Sequence, residues 1–377
     1  MSTSAFVYSP VLTQHILRED HPLVPRRLRL VYELLEAYGV FQHPDASLVA
    51  PRMATEEELL WFHTKEYVEA VRSLSRGEHR YNPARYNFSQ EGDNPVFPGM
   101  YEASAWAVGA SLVAADLVAQ GSVQVAVNFS GGLHHAMPNY ASGFCIFNDV
   151  VIAIKALLKR GLRVAYIDID AHHGDGVQFA FYDTDQVLTI SLHESGEFLF
   201  PGTGFVHEIG VGKGRGYSVN VPLAPYTDDE TYLWAFREVV PPLINAYHPD
   251  VLATQLGIDT HRDTPITHMG LTVQGFIAVV RELQGLAKGR WLAFGGGGYD
   301  LSAVARGWAW AYATMVGIDL PDPIPPAFQE RYGIPRLRDE ERPVDTARQP
   351  IARRYAEEAV AQVKRLVFPL HGLSASV

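Results

Sequence analysis

The sequence predicts an α/β protein, a three-layer α/β/α arrangement around a mostly parallel central sheet. Three observations lead there. Five short apolar runs recur along the chain, amphipathic helical patterns lie between several of them, and each run is followed directly by polar or glycine residues. The runs are VQVAVNF (123–129), RVAYIDI (163–169), QVLTISL (186–192), DVLATQL (250–256) and RWLAFGG (290–296). Near-continuous apolar character is what strands covered on both faces require.

The helical patterns follow in order. In NDVVIAIKALLKRG (148–161) Asn148 or Asp149 can cap the start and Gly161 the end. DDETYLWAFREVV (228–240) and VQGFIAVVRELQGLAKG (273–289) repeat apolar positions at three- and four-residue intervals. Ahead of the strands, residues 24–75 read as helical and as a cover for one side of the sheet. Pro22 and Pro25 precede RRLRLVYELLEAYG, and Thr55 with Glu58 forms a capping box. Residues 79–100 have turn formers and little periodicity, so they read as a long loop of the kind that serves function. After residue 320, PDPIPPAF breaks the pattern, and a charged segment leads to a last helix near 354–368. With no internal repeat and no low-complexity linker, the whole of 1–377 reads as one domain: a core of about 15–320 and a C-terminal extension packed on it.

Composition narrows the class of function. At 377 residues and 47% hydrophobic content the chain can bury a sizeable core. A formal net charge of −11 and no run of Lys or Arg exclude a nucleic-acid surface and suit a cationic partner. A single cysteine, Cys145, permits no internal disulfide and fits a reducing, cytoplasmic setting. The N-terminus lacks the pattern of a signal peptide, and the apolar stretches 103–115 and 308–318 read as too short to cross a bilayer. Nothing in the sequence sets the oligomeric state.

The chemistry sits at the strand ends: SGGLHHAM after the first run, DAHHGDG after the second, SLHESGE in the third, GIDTHRD and GGGGYD after the fourth and fifth. Ligands of open parallel sheets bind outside the carboxyl ends of the strands, so these groups converge on one rim. Asp168, Asp170 and His172 alternate and share a side while the chain is extended. Two carboxylates so placed repel unless a cation lies between them. Asp170, His172 and Asp259 make a His plus two carboxylate set suited to Zn²⁺ or Fe²⁺, with a position left for water. Asp and Gly after strands are also ordinary turn residues, and Cys145 in GFCIF reads as a small buried hydrophobe. GGGGYD does not fit GxGxxG, and GVGKGRG lacks the Ser or Thr that follows Lys in a P-loop, so nucleotide binding is unsupported.

Together GGLHHAM with SGFCIFND, YIDIDAHHGDGVQFAFY, FPGTG, QLGIDTH and GGGGYDLSAVARGW resemble the zinc-dependent histone deacetylase superfamily, from about His15 to Gly317. Within it the chain looks most like bacterial acetoin-utilisation deacetylases. The resemblance implies an arginase-like fold, one zinc held by Asp170, His172 and Asp259, and paired histidines His134 and His135 backed by Asp168 and Asp175. It makes Tyr299 the polariser of the acetyl carbonyl. It further implies tunnel walls Phe144, Phe200 and Ile266, a floor at Gly143, a rim aspartate Asp93 that holds substrate backbone, and Arg27 at an inner cavity. A structural K⁺ or Na⁺ would be held by Asp168, Ser191 and the backbone around Asp170, His172 and Leu192. The substrate implied is an acetylated protein or peptide lysine, acetyl-CoA synthetase among the candidates.

Other readings use the same residues. A small acetylated amine such as an acetylpolyamine needs the same chemistry. A binuclear manganese ureohydrolase needs a second carboxylate where this chain has His261. A non-catalytic acyl-lysine binder would be expected to have lost His135 or Tyr299, and both are present.

Overall fold

The computed structural model describes residues 3–343 and 345–375. The five apolar runs form strands β3 (Val125–Asn128), β4 (Val164–Asp168), β5 (Val187–Glu194), β7 (Val251–Gln255) and β8 (Trp291–Phe294). Three more strands join them: β1 (Ser4–Val7), β2 (Ala46–Val49) and β6 (Ser218–Leu223). All eight pair in parallel in the order β2-β1-β3-β8-β7-β4-β5-β6. The sheet is therefore wholly parallel, and every strand points its carboxyl end at the same rim.

Helices lie on both faces, as parallel strands demand. One face is covered by α1 (Arg26–Ala37), α7 (Asp229–Tyr247), α8 (Val273–Leu286), α9 (Leu301–Val316) and α11 (Gln349–Leu366), which share one apolar core with the strands. The other carries α4 (Met100–Ala119), α5 (Asp149–Leu158) and α6 (Asp175–Phe181). The short α2 (Glu56–Leu59) and α3 (Lys65–Ser75) pack behind α4 in a separate cluster, and α10 (Pro326–Tyr332) abuts α1. Only α1 of the segment 24–75 thus covers the sheet, and the edge strand β2 interrupts it.

Caps agree with the sequence. Thr55 and Glu58 exchange both bonds of a capping box, and the side chains of Asn148, Asp228, Thr272 and Asp300 each accept a first-turn N–H. α7 runs on through Pro241 and Pro242, because Leu243, Ile244 and Tyr247 beyond them are buried in the core. α4 is longer than its apolar stretch suggests. At 20 residues it has the length and composition to cross a membrane, but it is packed against α5, β3 and α3 inside the fold. Behind the sheet's far edge, α11 rests on α7 and β6, which fastens the C-terminal extension to the core.

Candidate active site

The turns at the carboxyl rim bring the strand-end residues together. After β3 the chain bends through Gly131 and Gly132, and buried Asp149 secures the bend by accepting the N–H groups of Gly132 (3.1 Å) and Leu133 (2.8 Å) and the Ser111 hydroxyl (2.5 Å). At Gly132, with φ +89°, a Cβ would stand 2.4 Å from the carbonyl oxygen of Gly295, so a side chain is excluded. The bend delivers His134 and His135. Each is backed by a carboxylate: His134 Nδ1 lies 2.7 Å from Asp168 Oδ2, and His135 Nδ1 2.7 Å from Asp175 Oδ1. Their Nε2 atoms are 3.1 Å apart.

The two pairs have different electrostatics. Burial works against the charge of His134, yet Asp168 and Asp170 outweigh it and raise its pKa to about 9. For His135 burial and the neighbouring His134 charge prevail over Asp175, and the pKa falls below the ordinary value. One ring is held charged and the other neutral, which separates an electrostatic role from a basic one.

Asp170, His172 and Asp259 are buried and offer ligand atoms that all lie within 4.8 Å of one another. Asp170 Oδ2 accepts from Gln255 Nε2 and Gly297 N, each at 2.7 Å, and Asp259 Oδ1 accepts from Ala171 N at 2.9 Å. The other oxygens, Asp170 Oδ1 and Asp259 Oδ2, face His172 Nδ1 at 3.1 and 2.9 Å. One nitrogen and two carboxylate oxygens thus converge, a donor set that fits Zn²⁺ or Fe²⁺. Burial opposes charge on all three. His134 and His172 still hold the Asp170 carboxyl well below the usual range, burial and Asp170 push Asp259 up to about 6, and the two carboxylates raise His172 to about 10. The glycines of GGGGYD leave the room needed: a Cβ on Gly297 would fall 1.9 Å from Asp259 Oδ2.

Tyr299 follows on the same turn. Burial, with Asp259 and Asp170 nearby, raises its phenol well above the ordinary value, so it is a neutral donor. Its ring meets Phe144 edge to face with centroids 5.8 Å apart. Gly143 and Phe144 both have positive φ (51° and 70°), and a Cβ on Gly143 would lie 2.4 Å from His135 Cδ2. Asn94 Oδ1 accepts the Phe144 N–H at 2.9 Å. Phe200 is 45% exposed and stands edge-on to His135 at 5.1 Å. A narrow cleft is bounded by His134, His135, Asp170, His172, Phe144 and Tyr299. Arg27 lines it too. Its guanidinium is buried, donates to Gly298 O at 3.1 Å and lies 5.0 Å over the Trp308 ring. A second, largely apolar pocket lined by Leu12, Leu28 and Phe97 shares Arg27 and Phe144 with the cleft.

The remaining expected residues are placed less centrally. Asp93 is exposed on the 79–100 loop, where its backbone oxygen accepts from the His21 ring at 3.1 Å. Ile266 is half-buried on the loop after β7 and does not line the cleft. Asp168 lies opposite Ser191 in the β4–β5 register; Ser191 Oγ is 2.8 Å from His193 Nδ1, and Leu192 O accepts from Tyr232 at 3.1 Å. Cys145 is buried, donates to Gly143 O at 3.3 Å, and burial pushes its thiol pKa up, which removes it as a nucleophile. His261 turns away from the cleft to Asp339 at 2.9 Å. Among the described residues, the Asp170, His172 and Asp259 set is the one cluster with metal-ligand geometry.

Gln255, Asp149 and Asn94 escape a reading of the sequence. Gln255 ends the apolar run of β7, and the structure buries it fully beside Asp170. Asp149 looked like a helix cap, a job that Asn148 performs instead by accepting from Val151 N at 3.0 Å.

Comparison with known proteins agrees with this geometry. Residues 21–315 match the histone deacetylase domain. The chain is 44% identical to the acetoin utilization protein AcuC of Bacillus subtilis (strain 168) over 87% of its own length and 86% of the relative's. It is 38% identical to AcuC of Staphylococcus xylosus, over 84% and 83%. The crystal structure of a histone deacetylase homologue from Aquifex aeolicus superimposes with a TM-score of 0.86 at 31% identity, covering 95% of this chain and all (100%) of that one. A histone deacetylase homologue complexed with SAHA matches equally well, with a TM-score of 0.86. The matched span holds the cleft from Arg27 to Tyr299 with both histidine–aspartate pairs inside it, and on that ground the chain belongs to the histone deacetylase family, as an AcuC-like deacetylase.

Proposed function

We propose that this chain hydrolyses the acetyl amide of acetyl-lysine in proteins with the help of one Zn²⁺, Fe²⁺ being the other ion its ligands suit. The observation that carries the reading is the pairing of two carboxylate-backed histidines, Nε2 to Nε2 at 3.1 Å, beside a converging Asp, His, Asp set. Asp170, His172 and Asp259 would hold the ion. When bound, it supplies a Lewis acid for the carbonyl and an acidified water.

The chain's own groups do the rest. His135, neutral and oriented by Asp175, takes the water's proton at Nε2 and later returns it to the leaving amine. His134, kept charged by Asp168, balances the negative charge that grows nearby. Tyr299 donates from its hydroxyl to the developing oxyanion. Phe144 and Phe200 flank the lysine stem, Gly143 keeps the passage narrow without filling it, and Ile266 adds an apolar wall further out. Arg27 lines the inner cavity, and Asp93 at the rim accepts from the substrate backbone. The oxygens of Asp168 and Ser191, with the carbonyls near Asp170, His172 and Leu192, suit a structural K⁺ or Na⁺.

We read the whole chain as a single cytoplasmic deacetylase domain whose targets include metabolic enzymes such as acetyl-CoA synthetase. Asp93 also favours a second reading, because an exposed carboxylate at the mouth would attract the free amines of an acetylpolyamine. A binuclear site is disfavoured by His261, whose ring is engaged by Asp339. One assay separates these readings: initial rates on acetyl-lysine peptides, longer acyl-lysine peptides, acetylpolyamines and arginine, each with and without a chelator. Chelator-sensitive turnover of the acetyl-lysine peptides with the highest kcat/KM supports the proposal; turnover confined to acetylpolyamine or arginine refutes it.

A further inference from the structure

The loop that carries Asp259 is tied to a segment beyond residues 21–315, the span that matches the histone deacetylase domain. Two positions past Asp259, His261 Nε2 meets Asp339 Oδ2 at 2.9 Å, and both side chains are nearly sealed, 1% and 6% exposed. The other oxygen, Asp339 Oδ1, accepts from Arg306 Nη1 at 2.7 Å. Arg306 lies on α9, the helix that begins directly after Tyr299, and its Nη1 also donates to Leu337 O at 3.0 Å. Asp339 Oδ2 takes a third bond, from Val273 N at the start of α8 (2.7 Å). The backbone of Asp339 is gripped by Gln274, whose Oε1 accepts its N–H at 3.0 Å and whose Nε2 donates to its carbonyl at 3.2 Å. One buried carboxylate therefore joins the segment after β7 to the helix after β8.

We propose that Asp339 is a positioning residue for the active site: through His261 and Arg306 it fixes the Asp259 loop against the helix that follows Tyr299. The inference rests on reading Asp259 as a metal ligand. Charge-assisted bonds from both sides are strong where water is excluded, and they constrain orientation as well as distance. The carboxylate is held ionised, since the bonds from His261, Val273 and Arg306 outweigh its burial. An amide in its place keeps the shape but cannot accept from His261, Arg306 and Val273 alike. The Asp259 loop then gains freedom while nothing in the cleft is removed.

Asp339→Asn is therefore expected to lower kcat on an acetyl-lysine peptide about tenfold with KM within about twofold, and to weaken Zn²⁺ binding about tenfold, the low end for groups that orient a ligand from outside. Zn²⁺ affinity is read by competition with a chromogenic chelator, and thermal unfolding is recorded for the same samples. His261→Phe cuts the same bond from the other side while filling the ring's volume, and it stands in if Asp339→Asn does not fold. The double variant should be no worse than the worse single one, because both act through one link. Parent-like kcat and Zn²⁺ affinity in a folded variant, with only a lower Tm, overturns the inference and leaves the metal reading intact, as do losses that multiply in the double variant. A parent enzyme that binds no Zn²⁺ overturns the metal reading and the inference with it.

Discussion

His63 lies outside the cleft, yet its protonation should contribute to how the domain responds to acid. It is buried, and Asn148 donates its backbone N–H to Nε2 at 2.9 Å, so that nitrogen must accept. Nδ1 therefore carries the proton and donates to Met137 O at 3.1 Å. These bonds pin both ends of the segment that leads from His135 to the cap of α5. Burial drives the pKa down to about 3, against about 6.5 in an unfolded chain. Below pH 6.5 the unfolded state binds a proton that the folded state refuses, so stability is full above 6.5 and is lost as pH falls toward 3. The slope is about 1.4 kcal/mol per pH unit; the loss from pH 7 to 5 is about 2 kcal/mol, and over the whole window roughly 5 kcal/mol. His63→Gln retains an acceptor for Asn148 and does not titrate. It should cost about 1 kcal/mol at pH 7 for the lost Met137 bond and show none of the slope. Urea unfolding of both proteins between pH 7 and 5 isolates the term, because other titrating groups cancel in the difference. If the stability gap between them is the same at pH 7 and pH 5, the argument for a neutral, sealed His63 is refuted.

The remaining predictions concern the cleft. Asp170→Ala or His172→Ala should remove both bound zinc, read by elemental analysis, and hydrolysis, since two ligands leave an incomplete site. His135→Ala should keep zinc and lose turnover by roughly 10²-fold or more, with His134→Ala less damaged; the reverse order in single-turnover rates would exchange their roles. Tyr299→Phe should cut kcat by about 10² to 10³ while KM and zinc content stay near the parent's. Gly297→Ala would press a methyl group against the carboxylates of Asp259 and Asp170, at 1.9 and 3.0 Å from their Oδ2 atoms, and should abolish zinc binding even though Ala adds no charge.

What could be read from the sequence divides along physical lines. The strands β3, β4, β5, β7 and β8 stand out because helices cover both their faces and nearly every position is apolar. β6 does not: it is an edge strand with Ser218, Asn220 and Pro222, and proline is tolerated there because an edge needs fewer ladder donors. β2 is also an edge, with Leu48 46% exposed, and its four residues vanish between two helical patterns. At the cleft, the strand-end rule singles out the histidines, the converging Asp170, His172 and Asp259, and Tyr299, because each lies in the turn that follows a strand. Gln255, Asp149 and Asn94 act by reaching across from other segments, and no local pattern announces a long-range hydrogen bond. Asp339 is the extreme case. It sits in the charged segment that leads to the last helix, and 78 residues separate it from its partner His261.

The strand order also bears on how the chain must be made. β2, β1 and β3 assemble from the first 128 residues and β4, β5 and β6 from residues 164–223, but these two blocks do not touch in the sheet. Within the sheet they are joined by β7 and β8, which slot between β3 and β4 and are completed at residue 294. His134 and His135 belong to one block, Asp170 and His172 to the other, and Asp259 and Tyr299 arrive with the seam. A ribosome must therefore release nearly 300 residues before the sheet can close and Tyr299 can join the histidines at the rim, and a chain stopped short of Trp291 carries two half-sheets with bare parallel edges. Such edges invite pairing with other chains, so interrupted synthesis should yield aggregates rather than a weakened enzyme.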